Sequence, residues 1–181
     1  MKSILIFPFL ILSTATLIAQ KKPIEKMVDF SDTVKIISNL SSPVKFLSKT
    51  EYEAYLNAEP MGLTALAEMN NYPSPSKVLS LQSQLKITPA QKSKLNFVQE
   101  ALDFKAKEMG RFIIQNEKKL YDLFLSGKID DGSLIYYTNQ YGLYQGELRN
   151  AHLQAHLKTR RILTPDQIKK IGKLRHITQK P

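Results

Sequence analysis

No Cys occurs anywhere in the 181 residues, and Met (5), Gly (7) and His (3) are sparse. The missing thiols exclude disulfides, a Cys nucleophile and a lipid-anchored Cys near the N-terminus, so the chain must hold together by packing alone. Low Met and absent Cys also disfavour soft ions such as Cu(I). No Gly-rich phosphate loop, no Gly-x-Ser-x-Gly elbow and no HExxH motif is present, and the carboxylates are scattered rather than paired. These absences lead us to expect a binding or sensing protein, not an enzyme, with no required cofactor.

The N-terminus carries a recognisable pattern. Lys2 precedes an apolar block from Ile4 to Leu12, followed by small residues at Ser13, Thr14, Ala15, Thr16 and Ala19. A positive start, a short apolar run and a small-residue exit are the parts of a secretory signal peptide, expected over residues 1–19. The block is shorter than the roughly 20 residues a spanning helix needs, and Pro8 interrupts it. The expected location is therefore the periplasm, and the remaining chain suits one domain with a modest core.

The formal charge of +10 is unevenly spread. Residues 20–85 hold seven basic and seven acidic side chains, whereas residues 86–181 hold eighteen basic and nine acidic ones. Such a half attracts acidic partners at long range. For an exported protein, acidic protein segments or anionic lipid head groups fit better than nucleic acid, so membrane-surface contact is one expectation and nucleic-acid binding is not.

Residues 20–46 alternate weakly and are broken at Ser41, Ser42 and Pro43, which reads as an N-terminal arm. Ser48 to Leu56 has a polar start, early acidic residues and Tyr52, Tyr55 and Leu56 on one face, the pattern of a short helix. Residues 59–75 are rich in Pro, Gly and Asn and are expected to be mostly loop. Val78, Leu81 and Leu85 mark another short helix. From Leu95 through Val98, Leu102, Met109, Phe112, Ile113, Leu120, Leu123 and Phe124 the three-and-four spacing continues over about four heptads. At 1.5 Å per residue a helix from Thr88 to Ser126 would be about 58 Å long. Gly127 stops it, and Asp130 or Asp131 caps a second long helix running to Ile162. That helix carries Leu134, Tyr137, Tyr141, Tyr144, Leu148, Ala151, Ala155 and Ile162. Two long amphipathic helices joined by a short turn imply an all-α fold, a long antiparallel helical hairpin over residues 47–177 with short flanking helices. Its remaining apolar side calls for cover by a third helix, by a second copy in a homodimer, or by both.

One pattern occurs twice. Ile87-Thr-Pro-Ala-Gln91 and Leu163-Thr-Pro-Asp-Gln167 share Thr-Pro-x-Gln after an apolar residue. Thr88 and Thr164 suit N-caps, Pro89 and Pro165 the first helical position, and Gln91 and Gln167 the reach back to the cap. By itself the motif is structural. Its duplication around a long hairpin, together with Met61 to Pro75 before the first copy and Leu148 to Leu157 before the second, resembles the LTxxQ signature of the Spy/CpxP family of periplasmic chaperones and related heavy-metal sensor or resistance proteins. The resemblance covers roughly residues 48–175, and the first copy follows Ile rather than Leu. It implies a dimeric, basic helical cradle that binds unfolded clients, damps an envelope-stress signalling partner in the membrane, or senses metal ions.

Two sets of candidate site residues follow. His152 and His156 are four apart on a helix, a spacing that presents two nitrogens to one divalent ion, with Zn, Ni or Co the suitable ones. The bland alternative leaves His152 at the edge of the packed stripe and His156 solvated. Arg149, Lys158, Arg160 and Arg161 lead a cationic stretch that could form a client- or membrane-binding face, or be ordinary solvated side chains. Tyr136, Tyr137, Tyr141 and Tyr144 form an aromatic patch best explained by core or dimer packing.

Overall fold

The computed structural model describes residues 42–178. The signal peptide expected over residues 1–19, and the arm up to residue 41, lie outside the described residues. Every regular element among those described is helical: α1 (Lys49–Asn57), α2 (Ala65–Met69), α3 (Pro75–Ser80), α4 (Gln82–Leu85), α5 (Pro89–Leu125), α6 (Asp131–Ile162) and α7 (Pro165–Thr178). The fold is all-α. None of these helices is long and apolar enough to cross a membrane.

The long helices start and stop where side chains can replace missing backbone partners. Thr88 Oγ1 accepts from Gln91 N at 3.2 Å, and Thr88 N donates to Gln91 Oε1 at 3.1 Å. Asp130 plays the same part for α6, accepting from Ser133 N at 2.7 Å. Those bonds hold the Asp130 carboxyl below its ordinary pKa, first through the Ser133 hydroxyl. Gly127, with φ of +65°, ends the first long helix in the left-handed region where glycine has no steric penalty.

α5 and α6 lie side by side in opposite directions. Gln91 reaches Ile162, Phe112 meets Tyr144 at 5.3 Å between ring centres, and Asn116 Nδ2 donates to the Tyr137 carbonyl at 3.0 Å. Leu95, Val98, Leu102, Met109 and Ile113 of α5 are buried, as are Leu148 and Ala155 of α6. The spacing that predicts the α5 stripe therefore predicts most of its core. Phe112 and Phe124 depart from it and are exposed, as are Leu134 and Tyr141 of the α6 stripe.

The preceding chain runs along one face of this pair. Val44 and Leu47 are buried, and Phe46 stacks on Tyr121 at 5.3 Å, so the last residues of the expected arm pack on the bundle. α1 lies against α5, where Gly110 permits the approach: a Cβ there would overlap the Tyr55 carbonyl. Gln145 Nε2 donates to Tyr55 Oη at 2.6 Å. Burial, and secondarily Tyr141, pushes the Tyr55 hydroxyl pKa up. The expected 59–75 loop contains the short helix α2, with Thr64 and Ala67 buried. The expected helix at 78–85 is split into α3 and α4 and begins earlier, at Pro75, because Ser74 accepts from Lys77 N at 3.1 Å and caps it. α3 packs on both long helices, and α4 on α7. Val78, Leu85, Leu95, Leu163 and Ile171 form a second core at that end.

Candidate functional site

The two Thr-Pro-x-Gln segments do more than cap. Thr164 Oγ1 accepts from Gln167 N at 3.3 Å and Thr164 N donates to Gln167 Oε1 at 2.9 Å, so the second copy repeats the bonds of the first. The two glutamines also meet. Gln91 Nε2 donates to Gln167 Oε1 at 2.9 Å, and Gln167 Nε2 donates to Gln91 Oε1 at 3.1 Å. Their second amide protons go to the carbonyls of Ile162 (3.0 Å) and Leu85 (3.2 Å), the last residues of α6 and α4. Each carboxamide thus donates twice and accepts twice, its full capacity. One clasp satisfies backbone groups at four helix ends that would otherwise lack partners. Separated by 76 positions, the two glutamines carry no local signal of this pairing.

His152 and His156 are both about 2% exposed, which overturns the solvated alternative for His156. His156 Nδ1 lies 2.7 Å from the Tyr72 carbonyl, which fixes Nδ1 as the protonated nitrogen. His152 Nε2, Thr159 Oγ1 and Gln99 Oε1 are buried without a protein partner. Burial first, and then the neighbouring His156, lowers the His152 pKa, while Asp103 of α5 opposes the shift. Among the described residues no three His, Cys, Asp or Glu side chains come together in a way that could hold a metal ion. The His pair therefore supplies at most two ligands of a metal site.

The four candidate cations divide between faces. Arg160 is drawn to the covered side: its Nη1 donates to the Asn71 carbonyl at 2.6 Å and its guanidinium lies 4.4 Å from the centre of the Tyr72 ring. Held against a turn and an aromatic ring, Arg160 fastens the 71–72 segment to α6. Arg149 sits about three helical turns before Arg160, on the same side of α6. Lys158 and Arg161 remain, and they border a groove on the opposite side of the α5–α6 pair.

That groove has a volume of about 550 Å³ and is lined by Phe97, Val98, Ala101 and Ile162, with Lys94, Lys158 and Arg161 at its edges. It continues into a hollow of about 140 Å³ over Leu102, Ala151 and Ala155, bordered by Lys105. Lys94, Phe97, Ala101 and Lys105 were not singled out by the cationic or hydrophobic patterns. A signal existed: Phe97 and Phe104 are two turns apart and off the core stripe, and they are 72% and 71% exposed. Large aromatic side chains left in water along a helix make this face a candidate interaction surface. The tyrosine patch is mixed: Tyr144 stacks on Phe112 while Tyr136, edge-on to Tyr137 at 5.1 Å, is exposed.

No family model, no curated protein and no solved structure matches this chain.

Proposed function

We propose that this is an exported envelope protein, similar in kind to the Spy/CpxP proteins, that binds unfolded or acidic partner proteins along a basic cradle formed by the α5–α6 hairpin. The observation that carries the reading is the open groove. It combines an apolar floor at Val98, Ala101 and Ile162 with Lys94, Lys158 and Arg161 at its edges, the combination that takes up apolar surface and attracts negative charge together. The duplicated Thr-Pro-x-Gln segments support the family likeness. In that likeness the working unit is a dimer of hairpins, which would extend the cradle.

The test is suppression of aggregation of a heat-unfolding acidic client by the purified protein, followed by light scattering without added metal. Protection that falls at least fivefold in Lys158→Glu/Arg161→Glu supports the reading. Undiminished protection in that variant, or none in the native protein, removes it.

A second reading, a divalent-metal sensor, rests on the unpartnered Nε2 of His152 beside His156. Calorimetric titration with Zn, Ni and Co ions decides it. Stoichiometric binding lost in His152→Ala/His156→Ala supports a sensor, and no binding ends that reading.

A further inference from the structure

We propose that the open groove takes an acidic amphipathic helix of a partner protein, seated lengthwise between α5 and α6. This rests on the groove reading above and adds the folded form and chemistry of the segment bound.

The backbone argues for a helix. Both walls of the groove are α-helices whose N–H and C=O groups are already paired along their own axes. An extended segment laid on them would find no ladder to join and would hold its own polar backbone over an apolar floor. A helix arrives with those bonds made and contributes side chains alone, the helix-in-groove mode of recognition.

Shape agrees. Ala101 on one wall and Ala151 and Ala155 on the other keep the groove low where the two helices meet. A third helix can therefore approach to ordinary packing separations of about 8–10 Å. From Ser93 to Lys105 the lining extends about 18 Å, a little over three turns. Such a ligand would place apolar residues at i, i+3, i+4 and i+7 over Val98, Ala101 and Ile162.

Charge sets the flanks. Lys94 stands on the α5 side and Lys158 and Arg161 on the α6 side. Lys49 pairs with Glu53 and Lys105 with Glu108, and among the described residues no carboxylate pairs with Lys94, Lys158 or Arg161. Cations on both walls match a helix bearing Glu or Asp on both sides of its apolar stripe. A purely apolar helix would leave them desolvated and unpaired.

The experiment uses the purified protein and a synthetic helical peptide of about 14 residues, with Leu at i, i+3, i+4 and i+7 and Glu on the flanks. Its controls are the same composition scrambled to remove the stripe and the same stripe with Lys flanks. The proposal expects calorimetric binding of the acidic helix at least tenfold tighter than either control, with a gain of helical circular dichroism. It also expects that affinity to fall at least tenfold in Ala101→Trp, which fills the groove, and in Lys158→Glu/Arg161→Glu, which reverses its rim. Two independent variants keep the outcome readable if one is poorly folded. Equal binding of the scrambled peptide overturns the helix and leaves the groove reading standing. Self-association that Ala101→Trp abolishes would put a second copy in the groove and overturn the proposal. Failure of every peptide together with absent client protection removes both readings.

Discussion

The two faces of the α5–α6 pair are made from the same pair of helices and are finished in opposite ways. One is roofed by residues 44–85, pinned at intervals: Gly110 under Tyr55, Gln145 on the Tyr55 hydroxyl, His156 on the Tyr72 carbonyl and Arg160 on Asn71. The other has Phe97 and Phe104 in water, and its Lys94, Lys158 and Arg161 pair with no carboxylate among the described residues. A roof needs many mutually fitted contacts, so substitutions beneath it should be expensive. The exposed face should tolerate them in the free protein and, on the proposed function, lose binding instead.

The largest effect should come from closing the tightest approach. Gly110→Ala sets a methyl against the Tyr55 carbonyl and should destabilise by about 3 kcal/mol, measured by urea unfolding; a change under about 0.5 kcal/mol would mean that α1 is not firmly seated. Next comes the clasp. Gln91→Ala or Gln167→Ala each removes a cap bond, both bonds between the glutamines and a bond to a helix-end carbonyl, and should cost about 2 kcal/mol. A double-mutant cycle should return a coupling of about 1 kcal/mol, and strict additivity would show that the glutamines do not act together.

A pH titration probes the roofed side. Because the folded His152 pKa lies below the usual 6.5, the unfolded chain binds more protons between the two values. That stability is complete above the unfolded value and is lost as pH falls from it towards the folded one. Urea midpoints taken at about pH 7.5 and about pH 5.5 should diverge in the native protein and converge in His152→Gln. Equal divergence in both would shift the cause elsewhere. The smallest effect belongs to the open face: Phe97→Ser should change stability by no more than about 0.5 kcal/mol. A larger loss would indicate that the face is already covered in the free protein.

Where local periodicity governs, reading the chain was enough. α5 and α6 end within about two residues of the expected limits because Pro89, Gly127 and Asp130 act on their nearest neighbours. The split of 75–85 into two helices and the short α2 were not legible, since one or two turns carry too little pattern. At the candidate site, Lys158 and Arg161 could be picked out as cations, but Arg160 beside them could not be sorted from them. Helical spacing orders residues around an axis without saying which side another segment will cover. His156 illustrates the same limit: the four-residue spacing relates it to His152, while its burial depends on where Tyr72 comes to rest.

By itself, then, the sequence determined the helical character, the extents of the two long helices and the capping role of both Thr-Pro-x-Gln segments, all set by interactions among residues a few positions apart. Only the tertiary structure decided that Gln91 and Gln167 clasp each other, that both histidines are sealed in, and that one face of the pair is left uncovered by the other described residues. Those features depend on contacts between residues some 70 to 90 positions apart, whose meeting is settled by the packing of the whole chain.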